Sequence, residues 1–118
     1  MEPALGPVIQ KFLPGKGHFG IDYGLKSGSP VVASIGGLVV FSGYDIDYGC
    51  IIIIDSDNGF ITSYKHCSSL LKKERDLVNV GEVIALSGNS GRNTTGPHLH
   101  FEIWQNGKAI DPEKVLIK

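Results

Sequence analysis

Four histidines stand out, because each lies where an extended chain would turn it toward a shared face. The run Gly96-Pro97-His98-Leu99-His100-Phe101-Glu102-Ile103-Trp104 alternates strictly. As a strand it puts Leu99, Phe101 and Ile103 on one apolar face and His98, His100, Glu102 and Trp104 on the other. Two imidazoles at adjacent same-face positions can serve one metal ion or one substrate, although a lone His-x-His pair is more often the solvated face of a strand. A second motif, His18-Phe19-Gly20-Ile21-Asp22, sits among Gly15, Gly17 and Gly24 and shows no helical period. In an extended segment His18 and Asp22 share a face, while Phe19 and Ile21 pack inward. The third, Thr62-Ser63-Tyr64-Lys65-His66, places Thr62, Tyr64 and His66 on one face of another strand.

The conjunction is more telling than any one motif. A catalytic zinc takes three protein ligands and keeps a fourth position open for water. His18, Asp22 and one histidine of the His98/His100 pair supply two nitrogens and one oxygen, and spacing alone leaves open which of the pair it is. The two histidines left over suit the remaining tasks: taking a proton from water and stabilising the oxyanion on an attacked carbonyl. A structural zinc site would fill every position, usually with cysteines in paired spacing. Here Cys50 and Cys67 are the only cysteines and lie in no such pair. Both read as small buried hydrophobes, and a disulfide between them stays open.

Strands have to position these groups. Residues 38–44, 50–55 and 60–66 are rich in β-branched and aromatic side chains and bounded by glycine. Asn58-Gly59 between the last two is a hairpin signal, because both residues tolerate positive φ. Residues 83–87 and 98–104 predict further strands, and residues 31–34 another, with turns at Gly36-Gly37 and Gly88-Asn89-Ser90-Gly91. Only residues 68–76 (SSLLKKERD) look helical, and residues 2–12 read as an irregular lead-in. The expectation is one all-β domain, an antiparallel sheet or two-layer β sandwich with little helix.

Composition narrows the functions. A chain of 118 residues suffices for one modest core. A formal net charge of -1 offers no basic footprint for nucleic acid and no cationic face for an anionic membrane. No apolar stretch is long enough to span a bilayer and no signal peptide is visible.

Taken in order, the motifs resemble the lysostaphin/LytM-type zinc endopeptidases, which cut peptide crosslinks in bacterial peptidoglycan. The likeness covers residues 6–116: His18-Phe19-Gly20-Ile21-Asp22-Tyr23, Gly28-Ser29-Pro30-Val31, Gly36-Gly37-Leu38-Val39, Tyr48-Gly49, Thr62-Ser63-Tyr64-Lys65-His66, Val80-Gly81-Glu82-Val83, Ser87-Gly88-Asn89-Ser90-Gly91, Thr95-Gly96-Pro97-His98-Leu99-His100-Phe101-Glu102 and Asp111-Pro112. It implies the LytM (duplicated hybrid motif-like) fold, with His18, Asp22 and His100 holding one zinc ion and His66 and His98 as the catalytic pair. It further implies Tyr64 and Thr95 as groove-lining candidates and Glu102 as a partner that fixes a ligand imidazole. The implied substrate is a peptidoglycan peptide, and the implied place is the cell envelope, periplasmic or extracellular. Residues 1–118 would then be a single peptidase domain, a monomer, excised from a longer secreted or membrane-anchored protein. The sequence departs from the family where residues 6–12 lack the usual Phe-Gly-x-Arg, where residues 72–76 replace a glycine turn, and where Cys67 replaces an aliphatic residue.

Two other readings compete. A regulator of cell-wall hydrolases with the same fold would have no activity of its own, but such relatives have typically lost site residues, and all five are intact here. A phosphocarrier domain of distantly similar β architecture uses paired histidines, but leaves Asp22 without a task.

Overall fold

The computed structural model describes residues 1–91 and 96–116. Ten strands follow in chain order: β1 Val8–Gln10, β2 Ile21–Gly24, β3 Pro30–Val32, β4 Gly37–Asp45, β5 Gly49–Asp55, β6 Phe60–Leu70, β7 Leu77–Val78, β8 Val83–Ser87, β9 His98–Gln105 and β10 Lys108–Ile110. A single four-residue helix, α1 (Pro112–Val115), closes the described chain; the Asp111 carboxylate caps it by accepting from Glu113 N–H at 3.0 Å. Every strand pairing is antiparallel. The main path runs β1-β2-β9-β6-β5-β4-β7, with β10 beside β9, while β8 joins β6 and carries β3.

Alternation decides what lies inside. Ile21 and Tyr23 of β2, Leu99, Phe101 and Ile103 of β9, Thr62 and Tyr64 of β6 and Ile52 and Ile54 of β5 are all fully buried. Val31, Ala33, Ile84 and Ala85, from or beside the β3–β8 ribbon, belong to the same cluster. Each large side chain so buried contributes on the order of 1.5–3 kcal/mol. The β5–β6 hairpin turns where expected, with Asn58 at φ 63° and Gly59 at φ 76°. Cys50 and Cys67 face each other across that pair as free thiols, and burial pushes the Cys67 thiol up to about 12.

Three expectations change. Residues 68–76 form no helix: Ser68 to Leu70 finish β6, where Ser69 and Leu70 pair with Leu86 and Ala85, and Leu71 N–H bonds Ile84 C=O at 2.9 Å. A window this short pays the cost of helix nucleation for few bonds, and the neighbouring strand satisfies the same backbone groups. Residues 2–12 are not wholly irregular, since β1 pairs with β2 and Ala4 enters the core. Tyr64 does not line a groove. It stacks on Phe101 at 5.2 Å between ring centroids, donates its hydroxyl to Thr62 Oγ1 at 3.0 Å and accepts Ser34 N–H at 2.9 Å.

That hydroxyl is fully buried, so it supports a prediction. Tyr64→Phe leaves the Ser34 N–H unsatisfied and lowers the free energy of unfolding by about 1–3 kcal/mol, measured by urea denaturation, while the cleft residues stay in place. An unchanged stability would mean that water reaches this side chain after all.

Candidate active site

Strand register assembles the site. Across β2, β9 and β6, Asp22 pairs with His100 and His100 with Lys65; alongside them Gly24 pairs with His98 and Ser63 with Glu102. The core face of β9 carries Leu99, Phe101 and Ile103, so His98, His100 and Glu102 must face the other way, as the alternation predicted. His18 comes from the turn ahead of β2, where Gly17 at φ 78° ends a short 3-10 turn and His18 forms a bridge with Leu13. Gly20 follows, and a side chain there would collide with the Phe101 carbonyl of β9. The close approach of this segment to β9 therefore requires glycine.

His18, Asp22 and His100 meet in one cluster, with one candidate ligand atom from each lying within 4.8 Å of the others. His18 Nδ1 lies 2.7 Å from the Lys11 carbonyl, which can only accept, so Nδ1 holds the proton and Nε2 is left with a lone pair. That Nε2 is buried, 3.3 Å from Asp22 Oδ2, and makes no hydrogen bond. His100 Nδ1 faces Asp22 Oδ1 at 2.6 Å, and its Nε2 faces Glu102 Oε2 at 2.7 Å. Glu102 in turn accepts from Trp104 Nε1 at 2.9 Å and from Lys65 Nζ at 3.3 Å.

Electrostatics follow from this packing. Burial by itself would lower the His100 pKa, but the two carboxylates outweigh it and the net shift is upward. For Glu102 burial acts upward, and the bonds from His100 and Trp104 with the Lys65 charge bring it down to about 2. Asp22 is likewise lowered, against its burial, by His100 first and by the other nearby histidines. Two nitrogens and a carboxylate, one nitrogen an orphaned buried acceptor, form a donor set that fits a zinc ion.

His66 and His98 stand beside this cluster with ring centroids 4.7 Å apart. Their Nδ1 atoms lie 2.7 Å and 2.8 Å from the carbonyls of Ser90 and Gly96, so both hold the proton on Nδ1 and turn Nε2 elsewhere. Burial lowers the His66 pKa, and the neighbouring His98 adds to that. The five residues share a cleft of about 240 Å³ with Gln10, Gly17, Phe19, Tyr48 and Glu102. A larger depression of about 710 Å³ near Met1 is apolar and holds none of the histidines.

His66 reaches the cleft by an irregularity that alternation did not foresee. Strict alternation puts it on the face of Thr62 and Tyr64, which is the core. Instead Ile52 pairs with Tyr64 and Cys50 with Cys67, so three steps on β6 match two on β5. His66 lies in this bulge at φ 65°. Phe19 also departs from expectation: it does not pack inward but is 42% exposed at the rim, its ring 6.3 Å from Trp104. Thr95 lies outside the described residues. Tyr48, whose ring is 6.2 Å from His66 and 4.2 Å from Lys65 Nζ, was legible only as part of a Tyr-Gly pair.

The chain belongs to Peptidase family M23, whose model matches residues 16–112, and the lysostaphin/LytM likeness holds for sequence and fold. It is 42% identical over 100 residues to the DD-carboxypeptidase/endopeptidase Mpg of Neisseria meningitidis, covering 85% of this chain and 23% of that protein. It is 35% identical over 116 residues to the murein hydrolase activator NlpD of Salmonella typhimurium, covering 97% of this chain and 30% of that protein. A zinc-containing peptidase from Vibrio cholerae superposes with a TM-score of 0.89 at 29% identity, covering 99% of this chain and 40% of that one. The chain thus spans well under half the length of these relatives.

The Glu102 network has a pH signature. Its folded pKa lies below the ordinary value, so the stabilisation is present above about pH 4.5 and is lost as pH falls toward about 2. In chelator-treated protein at pH 6, Glu102→Gln lowers stability by about 2–3 kcal/mol, and the gap from the unsubstituted chain narrows below pH 4.5. A gap that stays constant down to pH 3 in denaturant titrations would refute this account.

Proposed function

We propose that this chain is a zinc-dependent endopeptidase that hydrolyses peptides of bacterial peptidoglycan, crosslinks or stems, in the cell envelope. One observation carries the reading: a three-ligand cluster and two further imidazoles open onto the same cleft. His18 Nε2, the Asp22 carboxylate and His100 Nδ1 would hold the metal, with His100 fixed from behind by Glu102. When bound, zinc polarises the scissile carbonyl and makes water a better nucleophile at neutral pH.

The protein's own groups divide the proton work. His66, biased toward its neutral form by burial, presents an unprotonated Nε2 and takes the proton from the attacking water. His98 has committed its Nδ1–H to Gly96, so it can donate toward the developing oxyanion only as the imidazolium. With the rings 4.7 Å apart, a charge on His98 would further disfavour protonation of His66. Tyr48 and Phe19 stand at the cleft as groups that an extended peptide would meet.

The second reading, an activator of other hydrolases without activity of its own, is favoured by the likeness to NlpD over nearly the whole chain. The complete residue set argues for the enzyme.

Metal analysis and digestion of purified sacculi separate the two. The protein should bind one zinc per chain, losing it in His100→Ala and Asp22→Ala. His66→Ala and His98→Ala should keep the metal yet cut roughly 10²–10⁴-fold more slowly, as seen in new peptide ends by mass spectrometry. Stoichiometric zinc with no new ends from the unsubstituted chain would transfer the case to the activator.

A further inference from the structure

We infer that Ser90 is a positioning residue for His66, using its carbonyl to orient the imidazole and its hydroxyl to hold open the bulge that turns His66 into the cleft. The inference rests on the reading of His66 as a catalytic residue. The bulge displaces the β5–β6 ladder where Cys50 stands opposite Cys67. There the Ser90 hydroxyl accepts Cys50 N–H at 3.1 Å and donates to the Cys67 carbonyl at 2.5 Å. One side chain thus bridges the two strands at the Cys50–Cys67 end of the irregularity that contains His66.

The same residue then acts on the ring. The Ser90 carbonyl accepts the His66 Nδ1–H at 2.7 Å, which selects the tautomer with Nε2 free. His66 N–H is tied to the Tyr48 carbonyl at 2.8 Å, so backbone and ring are both held to the segments that Ser90 joins. The close approach requires two glycines. A Cβ on Gly49 would strike the Ser90 hydroxyl, and one on Gly91, at φ 95°, would strike the backbone of Gly49 and Tyr48. His66 holds a left-handed φ that a residue with a side chain adopts only when its surroundings impose it. The Tyr48 carbonyl holds the His66 N–H directly, and the Ser90 hydroxyl holds the adjoining Cys50–Cys67 pair.

A purely structural serine would satisfy two backbone groups and leave the imidazole alone, so the test reads the imidazole. Long-range proton–nitrogen NMR on the purified protein reports which His66 nitrogen carries the proton. The native chain should show Nδ1–H alone. Ser90→Ala should show both tautomers at His66, while His98, held by Gly96, keeps its own. Ser90→Thr, which retains the hydroxyl, should restore the single tautomer. Gly49→Ala, whose Cβ would strike both the hydroxyl and the carbonyl of Ser90, displaces the two together and should likewise mix the His66 tautomers. In sacculus digestion Ser90→Ala should lower kcat roughly 10–100-fold with KM within about twofold and zinc content unchanged. An unaltered His66 tautomer in both Ser90→Ala and Gly49→Ala overturns the inference. If the native chain cuts nothing, the enzyme reading fails, and the tautomer result still decides the role of Ser90.

Discussion

His100 is buried with a carboxylate at each ring nitrogen, Asp22 on one side and Glu102 on the other. A buried imidazole so placed cannot rotate without leaving a charge or a donor unpaired, at a cost of about 1–3 kcal/mol or more. The two strands and the loops around it are arranged to meet that requirement. Asp22 comes from β2 in register with His100, while Trp104 and Lys65 hold Glu102 in place. The apolar side of β9 makes this possible. Leu99, Phe101 and Ile103 lock the strand into the core, and the polar side chains between them inherit that rigidity.

Backbone carbonyls do the rest of the orienting. Lys11, Ser90 and Gly96 each accept an Nδ1–H from a histidine, and each leaves Nε2 as the atom available for the proposed chemistry. Three imidazoles are thus set to one tautomer by backbone carbonyls rather than by carboxylates. The arrangement keeps the negative charge concentrated at Asp22 and Glu102, where a cation would be held. Burial then lowers the His66 pKa, and the neighbouring His98 adds to that.

Much of this was legible in the chain. The alternation of residues 98–104, the His18-to-Asp22 spacing and the Asn58-Gly59 turn each follow from a side-chain period or from tolerance of positive φ, and the structure realises all three. The failures share a cause. Tyr64 looked available because the resemblance implied a groove position and alternation set it on the face of His66, and Phe19 looked buried because alternation paired it with Ile21. Neither is so, since a bulge and a turn interrupt the period where the site is built. Residues 68–76 looked helical because local propensity carries no record of the strand at residues 83–87, with which Ser69 and Leu70 pair.

The order of residues by itself determined the candidate side chains and, in residues 98–104, which strand face holds the core, because both depend on spacing within a few residues. It could not separate the two histidines of the His-x-His pair from spacing. The tertiary structure places Asp22 opposite His100 and glycine opposite His98, which supports the proposal that His100 is the ligand. It alone brought Ser90 and Cys50 together across forty positions and turned His66 out of the core. Those outcomes depend on register between distant strands, which no local pattern encodes.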